Sequence, residues 1–452
     1  MANLAADPAP WPVRRDLKLL FTLAWPVVVS RLGIMTMGLS DTVAVGHFSP
    51  QQLGWQALAW SITSVVLGVS LNLMGGVQVM TSRAMGEGRP REAGAVLRRG
   101  LSYAVMIGGL AAVAQFAFGP ALLRAFRLPA DLTAGAERPI QILAISMPFF
   151  VMGAAASSWL EGLGRTRIPA IFMWVANGIN LLALFLLVPG TFGLPAMGAV
   201  GAAWATLAAR GFLTLGLLVF ILLMPEARDL GVFEPAPRDR AAETEQRRVG
   251  YGAGASGFFE IAAFAGMNII AGWLGGVSVG VWAIVVNVVS VAFMVPLGLS
   301  TAASVLVGRA YGAGDFTEVR RASLLAYGLA ALFGGLIALL VWPGAKLVAS
   351  AYTIDPATLA LAVPAMALAS AMVLPDAIQV VVAQTLRARG DVWMPTATHF
   401  LSYVLVMAPL SWWLAIPAGL GVNGIVLGVI LASLLSAGLL LARFAWLWRR
   451  AG

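Results

Sequence analysis

Three carboxylates stand where a membrane opposes charge. Asp41, Glu260 and Asp376 fall inside apolar runs long enough to cross a bilayer, whereas the other 17 of the 20 acidic residues lie in loops, in tails or at run ends. One charged side chain near the bilayer centre costs about 2.5–3.5 kcal/mol on insertion scales, so three unpaired ones cost on the order of 8–10 kcal/mol. A wet cavity, a proton or a bound cation must offset that, and the chemistry these residues offer is reversible cation binding. A proton needs one carboxylate, while Na+ needs several oxygens. Pro375 removes the amide donor that the carbonyl of Ala371 would otherwise meet, Gln379 follows Asp376 by one turn, and Asn268 and Asn287 come from neighbouring runs. Asn180 is a further candidate ligand, for cation or substrate. Arg210, in the middle of the sixth run, reads equally as a counter-ion to an acid or as a base satisfied by helix carbonyls. Interhelical hydrogen bonds or ion pairs to Arg31 or Arg210 are the structural alternative for any single acid.

Other chemistries lack their residues. The chain has no cysteine, two histidines (His47 and His399) and two lysines (Lys18 and Lys346), neither of which follows a glycine. That excludes thiolate and disulfide chemistry, a histidine-built metal centre and the Gly-Lys-Ser/Thr nucleotide loop. No cofactor is expected, and no metal beyond Na+ at Glu260 and Asp376. Phe258, Phe259, Phe264, Phe293, Met294 and Met372 could line a pocket for flat aromatic cations, while Trp11, Trp446 and Trp448 suit the membrane interface.

The elements that must position these side chains follow from composition. Of 452 residues 60% are hydrophobic and 11% charged, against about 25% charged in a soluble domain. At about 20 residues per span there is room for roughly twelve helices, and the absence of alternating polarity excludes a barrel. The expected fold is an all-α polytopic membrane protein with spans near 19–47, 52–80, 100–122, 139–160, 168–190, 196–224, 250–275, 279–307, 322–344, 359–386, 394–416 and 422–447. The first run is too long for a signal-peptide core and reads as a retained span. Alternate loops and tails hold 23 Lys and Arg on one side against Arg124, Arg127, Arg138 and Lys346 on the other, with Arg31 and Arg210 inside spans. The positive-inside rule then puts both termini in the cytoplasm. The net charge of +9 needs no nucleic acid, because these bases sit where anionic lipid would meet them.

The chain repeats itself at a spacing of 226. Arg83-Ala84-Met85-Gly86-Glu87-Gly88 with Glu92 matches Arg309-Ala310-Tyr311-Gly312-Ala313-Gly314 with Glu318, and Gly164 and Pro169 match Gly390 and Pro395. Gly198 and Gly201 match Gly421 and Gly424 at a spacing of 223. Six spans per repeat imply two lobes related by a pseudo-twofold axis along the membrane normal, with a cavity between them. The expected organisation is a cytoplasmic tail (1–18), an N-terminal lobe (19–224), a solvated cytoplasmic linker (225–249), a C-terminal lobe (250–447) and a short cytoplasmic tail (448–452). The repeat also tests the acids: Met267 stands at the counterpart of Asp41, Ile34 at that of Glu260 and Phe150 at that of Asp376. The repeated scaffold needs none of the three, which favours a functional role.

In these residues the chain resembles the multidrug and toxic compound extrusion (MATE) family and its NorM-like branch. The markers are Ala24-Trp25-Pro26, Met37 through His47 around Asp41, Gly257-Phe258-Phe259-Glu260, Val295-Pro296-Leu297-Gly298, and Pro375 through Val380 followed by Arg387 and Gly390. The resemblance covers nearly the whole chain and departs from some relatives at Met372, where they carry an aromatic residue one turn before the acid. It implies a Na+- or H+-coupled antiporter in the bacterial inner membrane that exports amphipathic, mostly cationic compounds by alternating access. It also implies Glu260 and Asp376 as the cation-coupling pair and Asp41 in coupling or drug binding, and one chain suffices for the pathway. A lipid-linked oligosaccharide flippase would need a basic cavity, against the three acids seen. A membrane enzyme would need a metal or nucleophile-base constellation, which the sequence does not present.

Overall fold

A computed structural model describes residues 13–125, 129–235 and 239–451. Trp11 and Arg127 lie outside the described residues, as does most of the expected N-terminal tail. Twelve helices among those described are long and apolar enough to cross a membrane: α1 (Arg15–Phe48), α2 (Pro50–Gly86), α3 (Glu92–Arg124), α4 (Ala130–Gly162), α5 (Arg167–Leu187), α6 (Gly198–Leu223), α7 (Arg240–Trp273), α8 (Gly276–Gly312), α9 (Phe316–Ser350), α10 (Pro356–Ala388), α11 (Trp393–Ala415) and α12 (Gly421–Arg450). They follow the order read from the sequence, and most run longer than their apolar cores. Hydropathy marks the stretch suited to hydrocarbon, whereas backbone hydrogen bonding carries the helix on through charged residues such as Arg83 and Arg98.

Local sequence sets the bends and ends. α2 breaks at Met74, before Gly75 and Gly76, and α4 bends at Ser146, ahead of Pro148, which takes a first-turn position where its missing N–H costs nothing. Pro26, Pro296 and Pro375 sit inside helices, and Phe400–Met407 in α11 winds as a π-helix. Asp315 and Asp355 cap α9 and α10 by accepting from the amides of Glu318 at 2.9 Å and Thr358 at 2.8 Å.

The helices form two lobes, α1–α6 and α7–α12, with Trp159 and Leu217 in one core and Trp282, Met267 and Tyr403 in the other. Between lobes α1 packs on α8 and α2 on α7, pairings that the repeat interchanges. The repeated motif explains itself at this interface. Gly88 and Gly314 have φ of 69° and 72°, and Gly164 and Gly390 have 79° and 97°, left-handed values that turn the chain out of a helix. At Gly86 and Gly312 the backbones of α2 and α8 meet: a Cβ on Gly86 would stand 2.0 Å from the carbonyl oxygen of Arg309, and one on Gly312 would stand 2.3 Å from that of Arg83.

The two repeated arginines then cross the interface reciprocally. Arg83 donates from Nε to the carbonyl of Ala388 at 2.9 Å and from Nη2 to that of Arg387 at 3.1 Å, and Arg309 donates from Nη2 to the carbonyl of Leu163 at 2.7 Å. Each arginine thus satisfies carbonyls at the C-terminal end of the opposite lobe's fourth span. The lobes are closed together at this end, where α1, α9 and α12 also meet through Asp16 with Arg321, Arg320 over Trp448 and Arg443 with Asp391.

Part of the segment expected as a solvated linker over 225–249 packs onto the N-terminal lobe instead. α7 already begins at Arg240, capped by Asp239, and the preceding stretch is strapped to α3: Arg98 Nη1 donates to the carbonyls of Gly231 at 2.7 Å and Val232 at 2.9 Å, with Leu230 and Val232 buried. Glu226 pairs with Arg165 at 2.5 Å. Apolar residues within a charged stretch bury here because Arg98 of α3 bonds its carbonyls and Arg165 its carboxylate.

Candidate functional site

Two of the acids share one cavity between the lobes. A space of about 640 Å3 is lined by Glu260, Phe264 and Asn268 from α7, Phe293 and Met294 from α8, Met372 and Asp376 from α10, and Ser61 and Ser64 from α2 across the interface. Asp376 is held in place: its Oδ1 accepts from Gln379 Nε2 at 3.0 Å, Gln379 also donates to the Tyr403 hydroxyl at 2.6 Å, and Ser436 donates to Gln379 Oε1 at 3.2 Å. Glu260 has no hydrogen-bond donor among the described residues, yet it lines a second cavity as well. That space, of about 370 Å3, lies nearer the closed end and is walled by Arg31, Asn72, Gln78, Thr301 and Gln384 among others. One carboxylate therefore faces both compartments. The guanidinium of Arg387, bonded to Ser256 at 2.6 Å, lies within electrostatic reach of it.

Asp41 is built into a separate site in the N-terminal lobe. Asn180 Nδ2 donates to its Oδ1 at 3.0 Å and the Thr206 hydroxyl to its Oδ2 at 2.6 Å. It lines a cavity of about 230 Å3 together with Trp60, Phe150, Met173, Thr206 and Arg210.

The structure thus brings Glu260, Asp376, Asn268, Phe264, Phe293, Met294 and Met372 to one cavity, seats Gln379 behind Asp376, and gathers Asp41, Asn180 and Arg210 at another. Three candidates fall elsewhere, and one of them, Phe258, is exposed on α7 against Phe259, with ring centroids 6.1 Å apart. Asn287 is on an exposed part of α8, where its Oδ1 accepts from the Tyr352 hydroxyl at 2.8 Å, and it is not among the residues lining the cavity although Ser290, one turn on, is. Phe259 packs on Phe400 of α11 at 5.1 Å rather than lining the cavity, since it precedes Glu260 by one residue and so points about 100° away.

Buried charges that the sequence reading assigned to span ends or loops also emerge. Arg387, counted with the loop arginines, is 5% exposed inside α10, and Glu161, placed at a span end, is 2% exposed in α4, where it pairs with Arg31 at 3.6 Å. They are counterparts at the 226 spacing, a match of charged positions that could have flagged them. Thr206, Tyr403 and Ser436 carried no such signal, because hydroxyls are common in membrane helices. No group of three or more His, Cys, Asp or Glu that could hold a metal occurs among the described residues.

Comparison with known proteins fixes the family. The MatE family model matches residues 26–186 and 253–413, one copy in each lobe. The chain belongs to the MatE family. This MatE chain is 53% identical over 439 residues to a probable multidrug resistance protein NorM of Caulobacter vibrioides, covering 97% of this chain and 93% of that one. It is 30% identical to one of the same description from Agrobacterium fabrum, covering 96% and 94%. Its fold matches the eukaryotic MATE transporter AtDTX14 with a TM-score of 0.87 at 17% identity, over 96% of both chains. It also matches, at 0.84 and 17% over 98% of both, a Pyrococcus furiosus transporter of the MOP superfamily described as having a binding pocket of reversed polarity that suggests a different function. The MatE chain is accordingly a multi-pass membrane transporter and not an enzyme.

Proposed function

We propose that the protein is a cation-driven antiporter that exports amphipathic, mostly cationic compounds in exchange for Na+ or H+. The observation that carries the reading is Glu260: a carboxylate without a hydrogen-bond donor among the described residues, on the boundary between two cavities, beside a second carboxylate and with aromatic and methionine side chains around both. A proton or Na+ there offsets the charge that the membrane opposes, and a cationic drug against Phe264 and Phe293 competes for the same field. Binding of one then weakens binding of the other by the same factor. Asp41 links this exchange to the N-terminal lobe.

The lobes are closed at the arginine-rich end and the wide cavity lies beyond Glu260 from it. With that basic end cytoplasmic, in a bacterial inner membrane, this is an outward-facing state. The 23 bases on that side, the latch at Arg83 and Arg309, and a pathway complete within one chain support this orientation and a monomer as the working unit.

Ethidium flux into or out of proteoliposomes, driven separately by a sodium gradient and by a pH gradient with the voltage clamped, tests the reading. Flux under one gradient names the coupling ion, and Glu260→Gln and Asp376→Asn are each expected to abolish the gradient dependence while leaving a folded protein. Full gradient-driven flux in both variants refutes the assigned roles.

A further inference from the structure

At the closed end the starts of α7 and α3 meet along one seam between the lobes, through Gln246 and the carbonyl of Val96 at 3.1 Å. The starts of α1 and α9 meet along the counterpart seam, through Asp16 and Arg321. The first seam is covered by the chain itself. The strap before α7 lies on α3, where the amide of Gly94 donates to the carbonyl of Leu230 at 2.8 Å. A Cβ on Gly94 would stand 2.2 Å from the carbonyl oxygen of Gly231, so this backbone contact requires glycine. On α9 the residue at the counterpart of Gly94 is Arg320, which is exposed, and a strap of that kind has no seat there.

The α1–α9 seam carries charge that the repeated scaffold does not need. Arg15, Asp16 and Lys18 stand where the other repeat has Ala241, Ala242 and Thr244, and Arg321 stands where it has Ala95. Across the start of α1, the start of α9 with its cap, and the end of α12, six bases meet three acids. The acids are already engaged: Asp16 and Glu318 both pair with Arg321, the latter at 3.4 Å, and Asp315 caps α9. Arg15, Lys18, Arg320 and Arg449 are exposed and have no ion pair among the described residues, although Arg15 lies within electrostatic reach of Glu318. Arg320 stacks over Trp448 at 4.9 Å and Arg450 over Trp446 at 4.0 Å, which sets guanidinium groups at the depth where indole rings meet lipid headgroups. A phosphodiester accepts from several such donors at once. We propose that the α1–α9 seam binds the phosphate headgroup of an anionic phospholipid, which ties Arg15 and Lys18 of one lobe to Arg320 and Arg449 of the other and so favours the closed arginine-rich end. The lipid acts as a clamp and not as cargo, and the inference does not depend on which ion or compound is carried.

The cysteine-free chain makes the clamp measurable without transport. Ser158→Cys, in the cavity near the closed end, and Ser290→Cys, in the wide cavity, are labelled with an uncharged maleimide in nanodiscs. The discs hold phosphatidylcholine alone or with about one third phosphatidylglycerol. A base close to an anionic lipid surface strengthens binding about fivefold, so the anionic lipid should slow labelling at 158 by at least about threefold and speed it at 290. Arg15→Gln combined with Lys18→Gln, or Arg320→Gln alone, should bring the two lipids within about 1.5-fold of each other. Arg320→Lys keeps the charge and should keep the difference. Arg228→Gln, which removes an exposed base of the strap, should keep it as well. Equal labelling of the parent protein in the two lipids overturns the proposal. A difference that survives in both glutamine variants of the seam overturns it too, by assigning the effect to overall surface potential, and so does its loss in Arg320→Lys, by assigning that residue to packing on Trp448.

Discussion

Replacing Gly86 with alanine drives a methyl group into the backbone of α8. The added Cβ would stand 2.0 Å from the carbonyl oxygen, 2.7 Å from the carbonyl carbon and 2.9 Å from the Cα of Arg309. All three are backbone atoms, so no side-chain rotation relieves the contact. Restoring ordinary contact at 3.4 Å requires the two helices to part by about 1.4 Å at the closed end. The caps that cross the interface a few residues away tolerate little of that: Arg309 to Leu163 is 2.7 Å and Arg83 to Ala388 is 2.9 Å, and either opens past hydrogen-bonding distance on a shift of that size. Overpacking of this kind costs about 1–3 kcal/mol, and strained caps place Gly86→Ala near the upper part of that range. At about 2–3 kcal/mol the ratio of closed to open at this end falls about 30- to 150-fold.

The absence of cysteine makes the measurement direct. Ser158→Cys reports on the cavity near the closed end, and Ser290→Cys on the cavity beyond Glu260. With a water-soluble maleimide, Gly86→Ala should speed labelling at 158 and slow it at 290. Gly178→Ala is the control, because a Cβ there meets nothing within 4 Å. Labelling at both positions indistinguishable from that control would refute the view that this backbone contact holds the lobes together.

The other expectations probe single contacts. Arg309→Met frees the carbonyl of Leu163 without adding a clash, and should speed labelling at 158 in the same direction as Gly86→Ala but by less. Thr206→Val leaves Asp41 with Asn180 as its one side-chain donor; loss of a hydrogen bond to a charged group costs about 1.5–3 kcal/mol, read as a lower unfolding temperature, and the same change in an Asp41→Asn background should cost well under half as much. Glu226, outside the spans, is held below its ordinary value of 4.5 by its own backbone amide and by Arg165. A depressed carboxylate contributes stability at neutral pH that disappears as pH falls through its folded value. The difference in thermal stability between wild type and Glu226→Gln should therefore be present at pH 7 and shrink as pH falls below 4.5, and a difference that grows on acidification would contradict it.

What the sequence revealed divides along physical lines. Twelve spans were legible because a bilayer demands long apolar runs, and the arrangement in two lobes was legible because the repeat preserves turn glycines and crossing arginines. Asp41, Glu260 and Asp376 were visible because an acid in an apolar run has no routine explanation. Arg387 and Glu161 escaped because charge near a span end reads as solvated until tertiary packing buries it. Phe259 and Asn287 were misplaced because which helix face meets a cavity depends on neighbours that periodicity does not name. The strap before α7 was missed because its burial depends on Arg98, more than a hundred residues earlier, finding the carbonyls of Gly231 and Val232.

The repeat separates what the fold requires from what the chemistry requires. At the interface the halves are interchangeable: Arg83 and Arg309 each reach the fourth span of the opposite lobe, and Gly86 and Gly312 each meet the backbone of its second span. In the cavities they are not. Ile34 and Phe150, counterparts of Glu260 and Asp376, line the N-terminal cavity as apolar walls, and Met267, counterpart of Asp41, is sealed in the C-terminal core. Charge near the first and fourth spans is even inverted: Arg31 pairs with Glu161 in one lobe, while Glu260, three residues past the counterpart of Arg31, faces Arg387 in the other. A symmetric hinge requires matching surfaces where the lobes meet, and its two closed states depend on those matches. Exchange of unlike charges requires the opposite, since two identical sites would bind cation and substrate alike in both lobes and offer no direction to the exchange. Divergence confined to the cavities, on a duplicated interface, meets both requirements in a single chain.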